Sequence, residues 1–296
     1  MPFQGELAAL LTAFLWSGTS IVFTEATTRV GSIMVNITRM VIALLLLGVS
    51  IPLLGLDFSL SATQMSNLVI SGVLGLVLGD TFLFRAFKDI GARVSMLLMA
   101  LVPGMTALLA WIFLGEALSL QSIAGMLVTM AGIAVVILER PAVGGQVRAI
   151  NLRGIVLGVL AALGQASGLI FAKFALNEAP IHGMVATAVR IGASVAIFLP
   201  LAVLLKWYGN PFRVYARDRK ALAFTSIGAV IGPYLGITFS LVAIANTEVA
   251  VATTIMSLPP ILMLPLVRTV YKERLTARAI GGAVLAVAGV ALLFLR

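Results

Sequence analysis

The chain has no cysteine and a single histidine, His182, among its 296 residues. Without cysteine it can form no disulfide, no thiol nucleophile and no thiolate metal site. One histidine argues against a histidine-built metal centre and against a Ser-His-Asp triad. His182 falls in a short predicted loop, where we expect a solvated side chain. The sequence therefore predicts no enzymatic activity and no metal or other cofactor.

Charged residues are also scarce, at 10% of the chain against 61% hydrophobic residues. Soluble domains are about half apolar and about a quarter charged, so a large soluble domain is excluded. The net charge of +9 would suggest nucleic-acid binding in a soluble protein. In a membrane protein such an excess falls in cytoplasmic loops, and we expect no nucleic-acid partner. The sequence contains no glycine-rich phosphate loop that would support ATP-driven pumping.

Long apolar stretches separated by short polar breaks predict ten membrane-spanning helices, because about 20 apolar residues cross the hydrocarbon core. The first stretch follows MPFQGEL, which has no basic residue, so a cleavable signal peptide is not expected. The predicted spans are residues 5–26, 32–54, 64–85, 94–114, 119–138, 154–175, 183–205, 221–243, 249–270 and 278–295.

Basic residues alternate between connections, and this alternation sets the predicted orientation. Sixteen of the twenty lysines and arginines fall between spans 1 and 2, 3 and 4, 5 and 6, 7 and 8, or 9 and 10. By the positive-inside rule these connections face the cytoplasm, so both termini face outward, and the short loops suit a bacterial inner membrane. The sixteen are Arg29, Arg85, Lys88, Arg93, Arg140, Arg148, Arg153, Lys206, Arg213, Arg217, Arg219, Lys220, Arg268, Lys272, Arg274 and Arg278; the opposite side carries Lys173 and Arg296.

The sequence repeats itself when it is shifted by 157 residues, and nearer the front of each half by 150 to 151, where Arg39 meets Arg190. Each copy has five spans, an odd number, so the second copy enters the membrane the other way up. Inverted repeats are typical of secondary transporters, whose binding site lies near the midplane between the copies. The matched pairs include Gly75 with Gly232, Gly79 with Gly236, Met99 with Met256, Pro103 with Pro260, and Glu116 with Glu273.

The predicted fold is therefore an all-α membrane protein with ten transmembrane helices in two inverted five-helix repeats. We place the first repeat at residues 1–140 and the second at residues 154–296. A cytoplasmic linker at residues 141–153 joins them. One chain holds both halves, so a functional monomer is compatible with this organisation.

Each half resembles an EamA module of the drug/metabolite transporter superfamily. The resemblance rests on VPGMTALLAWIFLGEALSLQSIAGMLVTMAGIAVV in the first copy and LPPILMLPLVRTVYKERLTARAIGGAVLAVAGVAL in the second. Both contain a proline, a glutamate at the turn between two spans, and two later glycines. It covers essentially the whole chain, which looks most like ten-span bacterial amino-acid exporters. The resemblance implies alternating access to a midplane cavity lined mainly by spans 1, 3, 4, 6, 8 and 9.

One feature departs from the small four-span cation exporters of this superfamily, which carry a glutamate in the middle of their first helix. The middle of span 1 reads FLWSGTS, and Glu6 and Glu25 lie near its ends. Proton-coupled expulsion of lipophilic cations is therefore not favoured.

Three polar or aromatic side chains lie at similar predicted depth near the midplane: Trp16, Gln165 and Tyr234. Each needs a hydrogen-bonding partner away from water, which substrate, cavity water or another helix could supply. Met99 and Met256 are equivalent positions, and methionine suits either a permissive pocket or simple core filling. We take these five residues, together with Asp80, as candidate substrate-binding residues.

Near the middle of their predicted spans lie Pro103, Pro233 and Pro260, the last of which follows Pro259 directly. Proline removes one backbone hydrogen bond and frees a carbonyl, which in lipid must face protein or a wet cavity. Each proline could therefore line a flexible cavity wall or could mark a simple kink.

Asp80, Arg39 and Arg190 are ionisable residues within spans, where charges are usually paired or face a cavity. Asp80 and Arg39 have comparable depth, which predicts an ion pair, while the alternative makes Asp80 a proton or amine site. Arg190 is expected to have no such partner, because the position equivalent to Asp80 is Ile237. It could hold a substrate carboxylate or bond to helix-end carbonyls.

The sequence thus predicts a secondary transporter that exports amino acids, neutral or aromatic ones included, or similar small metabolites. Multidrug efflux, nucleotide-sugar exchange and a membrane scaffold without transport are the alternatives. The partners expected are a small-molecule substrate and membrane lipids. The basic connection from Lys206 to Lys220 also contains four aromatic residues and could contact anionic headgroups.

Overall fold

The computed structural model of the chain describes residues 3–139, 151–262 and 276–295. Several features used in the sequence analysis lie outside these ranges: the predicted linker as far as residue 150, the second half of predicted span 9, and Glu273. The side chains of Lys88 and Arg93 also lie outside the description, as do Arg140, Arg148, Arg268, Lys272, Arg274 and Arg296.

The described chain is all-helical, as predicted, and nine of its helical stretches are long and apolar enough to cross a membrane. The shorter apolar helix Val249–Leu262 begins where span 9 is predicted. The helices are α1 (Gln4–Val30), α2 (Ser32–Leu53), α3 (Ala62–Gly72), α4 (Asp80–Met99), α5 (Val102–Leu114), α6 (Leu120–Glu139), α7 (Leu152–Glu178), α8 (Gly183–Leu204), α9 (Pro211–Arg217), α10 (Arg219–Ala229), α11 (Ile237–Asn246), α12 (Val249–Met256) and α13 (Ala277–Phe294).

Two π-helical segments interrupt spans 3 and 8. Val73–Gly79 joins α3 to α4, and Val230–Gly236 joins α10 to α11. The two segments start 157 residues apart, as do α3 and α10 and also α6 and α13. The helices α1 and α7 both have 27 residues, and α2 and α8 both have 22. The repeat read from the sequence is therefore also a repeat of helix boundaries.

The equivalent helices α1 and α7 run in opposite directions. Glu6, near the start of α1, accepts a hydrogen bond from Thr247 Oγ1 at 2.9 Å. Lys173, near the end of α7, donates to Thr247 O at 3.2 Å. The start of one helix and the end of the other thus meet at one end of the bundle, which we call the N-terminal face. The opposite end, where Arg29 contacts Asp218, is the basic face.

The long helices α1 and α7 each pack against elements of the other repeat. Gly228, just before the second π segment, and Gly232 and Gly236 within it all lie against α1. Gly164 and Gly168 of α7 lie against the first π segment. The two repeats are therefore intertwined along these contacts.

Helices α6 and α13 approach closely through glycines. A β-carbon placed on Gly132 would lie 2.5 Å from Gly282 O and from Ala286 N. A β-carbon on Gly125 would lie 2.9 Å from Gly289 O. Small residues permit such backbone contact between membrane helices, where packing rather than the hydrophobic effect drives association.

The connection predicted between spans 3 and 4 is helical rather than a loop, because α4 continues to Met99. Its contacts on α7 move from Gly164 beside Gly79 to Gly154 beside Ile90, and then return to Gly158 beside Leu98. The chain therefore bends back between Ile90 and Leu98, near the predicted connection, without leaving helical backbone.

Large apolar side chains cover the outside of the bundle. Trp111 is 64% exposed, and its neighbours Leu108, Ile112 and Phe113 are also more than half exposed. Such a surface is stable in a hydrocarbon environment and unfavourable in water.

Candidate functional site

A chain of polar contacts crosses the interior next to the first π segment. Arg39 Nη2 lies 3.3 Å from Asp80 Oδ2, so the predicted ion pair is present. Gln165 Nε2 donates to Asp80 Oδ1 at 2.9 Å and to Gly75 O at 3.0 Å. Arg39 Nε donates to Asn36 Oδ1 at 2.8 Å, and its guanidinium lies 5.0 Å from the Phe23 ring centroid. The structure therefore brings predicted residues of both repeats into one cluster.

Arg190 belongs to the same cluster, which corrects the expectation that it stands apart from Asp80. Its side chain is 3% exposed and interacts electrostatically with Asp80. A β-carbon placed on Gly75 would lie 3.5 Å from Arg190 Nη2 and 3.7 Å from Gln165 Oε1. Arg190 therefore meets the carboxylate across the repeats, because the π segment of the first repeat packs against both α7 and α8.

The sequence analysis did not single out Asn36 and Thr187, which are also part of this region. They lie three residues before Arg39 and Arg190, in the segments NITR and TAVR. Their exposed fractions are 2% and 0%. Within residues 3–139, 151–262 and 276–295, no hydrogen-bond partner is found for three buried atoms: Asn36 Nδ2, Thr187 Oγ1 and Arg190 Nε. The shared spacing before each arginine was the signal that could have identified them.

Trp16 and Gln165 occupy corresponding positions beside the glycines that end the two π segments. A β-carbon on Gly236 would lie 2.5 Å from Trp16 Nε1, and one on Gly79 would lie 3.3 Å from Gln165 Nε2. Both side chains are half-buried. Trp16 and Gln165, which were expected at similar depth, therefore pack in the same way, each against the last glycine of a π segment.

Tyr234 lies in the second π segment but points its hydroxyl toward α2. Tyr234 Oη and Ser50 Oγ are 2.8 Å apart. Another helix therefore supplies the hydrogen-bond partner of Tyr234, which is one of the two interpretations that the sequence allowed. Pro233 lies inside the same π segment, where a missing backbone donor coincides with a widened helix.

Spans 4 and 9 are both broken, and this corrects the placement of two prolines in mid-helix. The helix α4 ends at Met99 and α12 ends at Met256, each followed by a two-residue break. Pro103 lies in the first turn of α5, and Pro260 lies in the first turn after the second break. Proline is well accommodated at such a position because its missing N–H would have no partner there. Met99 packs near Ala162 and Ala166, whereas Met256 lies in the main core.

Two openings of the surface lie at the ends of the bundle. One, of about 560 Å³, lies at the N-terminal face, and another, of about 550 Å³, lies at the basic face. None of the six residues predicted to bind substrate lines either opening. The six lie within the bundle, away from these two openings.

The opening at the N-terminal face contains a network of charges around the turn between α11 and α12. Lys173 Nζ donates to Ile244 O at 2.5 Å and lies 4.0 Å from Glu116 Oε1. Glu116 Oε2 accepts from Val249 N at 3.0 Å, at the start of α12. This glutamate follows α5, at the turn expected from the sequence, and it connects the two repeats at this face.

The described residues combine nine helical stretches long and apolar enough to cross a membrane with two matched π segments and two matched breaks, which together form a repeated membrane bundle. The model of the EamA-like transporter family matches residues 3–138 and 152–295. The chain belongs to the EamA-like transporter family. It is thus a multi-pass membrane protein of a family that transports small molecules.

Comparison with solved structures supports the same fold. A protein known by its crystal structure, with no function given in its description, matches with a TM-score of 0.82 and 18% sequence identity. The match covers 100% of this chain and 98% of that protein. Such low identity shows the fold alone. A search of curated proteins finds no match.

Proposed function

We propose that this EamA-like transporter exports amino acids or similar small metabolites by alternating access. The observation that carries the proposal is the buried cluster formed by Asp80, Arg39, Gln165 and Arg190. It combines a carboxylate, two guanidinium groups and an amide inside an apolar bundle. A zwitterion presents both an amine and a carboxylate, so it is complementary to charges of both signs.

The position of this cluster supports a role in the transport path. It lies at a π segment, where the backbone departs from regular α-helical pairing, and between elements of the two repeats. Irregular backbone at the interface of repeats is the usual setting of substrate sites in secondary transporters. Trp16, Tyr234, Met99 and Met256 lie at the second π segment or at the two breaks and are proposed to complete the substrate path.

For the orientation, we propose a bacterial inner membrane with both termini on the outer side. The basic face carries Arg29, Arg213 and Arg217, whereas Glu6, Glu116 and Glu248 surround Lys173 at the N-terminal face. The positive-inside rule then places the basic face in the cytoplasm. We propose further that a monomer transports, with repeats at residues 1–140 and 154–296 and a linker at 141–153.

Uptake of labelled amino acids into proteoliposomes, with and without an imposed pH gradient, tests the proposed function. We expect saturable uptake that empty liposomes lack. Uptake that is unchanged by the pH gradient would assign Asp80 to a structural ion pair. Accumulation that depends on the pH gradient would assign Asp80 to proton coupling. No uptake of any amino acid would contradict the proposal and favour efflux of drugs or transport of other metabolites, and no transport of any solute would favour a scaffold.

A further inference from the structure

The buried cluster contains more positive than negative charge. Arg39 is partly buried and Arg190 fully buried within the spans, and Asp80 is the carboxylate with which each interacts. Asp80 Oδ2 already contacts Arg39 Nη2 at 3.3 Å. The three side chains together carry one formal positive charge in an apolar bundle. An uncompensated charge at this depth costs free energy, so a bound anion would stabilise the cluster.

Asp80 forms its ion pair with Arg39, so the excess positive charge of the cluster falls on Arg190 of α8, where Thr187 is also unsatisfied within the described ranges. Arg190 Nε and Thr187 Oγ1 have no hydrogen-bond partner among the residues that the structure describes, and they lie three residues apart on one helix. Residues at this spacing project from the same face of a helix. A guanidinium binds a carboxylate by two parallel N–H donors, of which Nε is one. Arg190 Nε and Thr187 Oγ1 together therefore provide donors for one carboxylate.

The backbone at Arg190 is held firmly against the first repeat. Gly72 directly contacts Arg190 O, and Ser194 Oγ donates to Gly72 O at 3.1 Å. The absence of a side chain at Gly75 leaves space beside Arg190 Nη2. The helix backbone that carries both donors is thus held in place before any ligand binds, which lowers the entropic cost of binding.

The two repeats differ at one position that explains the excess charge. Asp80 follows the first π segment and Ile237 follows the second, at equivalent positions. Ile237 packs in the same apolar cluster as Ala188 and Ile191, which flank Arg190 on α8. The chain therefore supplies an internal carboxylate to Arg39 and an apolar side chain in the corresponding position near Arg190.

We propose that Arg190, with Thr187, forms a subsite for the carboxylate group of the transported solute. This inference rests on the proposed transport function and narrows its substrate class to small carboxylates, amino acids among them. In the first repeat, the carboxylate of Asp80 occupies the place beside Arg39 that the carboxylate of the solute would take beside Arg190. Lipophilic cations without a carboxylate are then poor ligands, because they would add to the positive charge of the cluster.

Binding to the purified full-length chain in lipid nanodiscs tests the subsite without any transport step. The probes are L-phenylalanine, its methyl ester, 3-phenylpropionate and phenethylamine, followed by the same acid and ester forms of leucine and alanine. We expect the acids to bind about tenfold or more tightly than the esters, because only they supply an anion to Arg190. The proposal is wrong if no acid in this panel binds more tightly than its ester.

Variants at the subsite connect the preference to these side chains. Arg190→Gln should abolish the preference for acid over ester, and Thr187→Val should reduce it by a smaller factor. Arg190→Lys retains the charge and should retain part of the preference. If Arg190→Gln and Thr187→Val both discriminate acid from ester as the unaltered chain does, the subsite lies elsewhere.

An internal carboxylate at position 237 gives a test that leaves Arg190 in place. Ile237→Asp should pair with Arg190 and weaken binding of the acids about tenfold or more, whereas the nearly isosteric Ile237→Asn should weaken it much less. Equal acid affinity in the two variants contradicts the proposal. Acid binding that depends on Arg190, in a chain that transports no amino acid, would support the subsite and overturn the proposed function alone.

Discussion

Gln165 of the second repeat donates its amide to Asp80 of the first repeat at 2.9 Å. The same amide nitrogen reaches Gly75 O at 3.0 Å, within the π segment. One side chain of α7 therefore holds both the carboxylate and the irregular backbone of the opposite repeat. The polar cluster is therefore built from side chains of both repeats. A site that is exposed to each side of the membrane in turn is expected to lie between the repeats in this way.

Replacing Asp80 tests the charge balance of the cluster. Asp80→Asn leaves Arg39 and Arg190 without a compensating carboxylate, and we expect a loss of about 3–5 kcal/mol of stability, the usual cost of breaking a buried pair. Thermal unfolding in nanodiscs measures it. The double variant Arg39→Gln with Asp80→Asn should recover part of the loss. A double variant less stable than Asp80→Asn alone would contradict the ion-pair assignment.

Replacing Gln165 tests the connection across the repeats. Gln165→Met keeps the side-chain length but removes both donated hydrogen bonds. We expect a loss of about 1–3 kcal/mol in unfolding free energy, because the Gly75 carbonyl and the Asp80 carboxylate each lose a partner. Met99→Leu, which changes an apolar side chain in the same region, serves as the control and should cost less. Equal stability of Gln165→Met and the unaltered chain would refute the proposed link.

The glycine contacts between α6 and α13 give a prediction about packing alone. Gly132→Val places side-chain atoms where the backbone of α13 now lies, 2.5 Å from Gly282 O. We expect a loss of about 1–3 kcal/mol or more, as is typical of overpacking. In the part of the chain that the structure describes, a β-carbon on Gly281 has no neighbour within 4 Å, so Gly281→Val is the matched control on α13. The close approach is disproved if both variants unfold at the same temperature.

Lys173 gives a prediction about the N-terminal face. Its ammonium donates to Ile244 O and Thr247 O at the end of α11. Lys173→Met removes these donors, and we expect about 1–3 kcal/mol of destabilisation together with a looser turn between α11 and α12. Hydrogen exchange of residues 244–249 measures the second effect. Lys220→Met, at an exposed lysine, is the control, and equal exchange in the two variants would contradict the role given to Lys173.

The fold could be predicted from the sequence because long apolar runs and a strict repeat leave few alternatives in a membrane. The offset of 157 residues, read from pairs such as Gly75 with Gly232, recurs in the boundaries of the π segments. The π segments themselves were not predicted, because a widened helix has the same apolar composition as a regular one. The breaks after Met99 and Met256 were likewise hidden, since Pro103 and Pro260 fit either a kink or a new helix start.

The candidate site was only partly predictable. Equal depth along spans 2 and 3 was enough to pair Arg39 with Asp80. The approach of Arg190 to the same carboxylate depends on packing between the repeats. The sequence comparison looked for a partner of Arg190 only at Ile237, within the second repeat, and so missed Asp80. Tyr234 illustrates the same limit, because depth alone could not show that its hydroxyl meets Ser50 on α2.

Solute counterflow is the most direct test of transport by this protein. Proteoliposomes loaded with one unlabelled amino acid are diluted into a trace of the same labelled compound, and the label inside is followed with time. We expect a transient accumulation of label above its equilibrium level, seen for at least one amino acid and lost in Arg190→Gln. Label that merely equilibrates, as in protein-free liposomes, for every amino acid tried would contradict it.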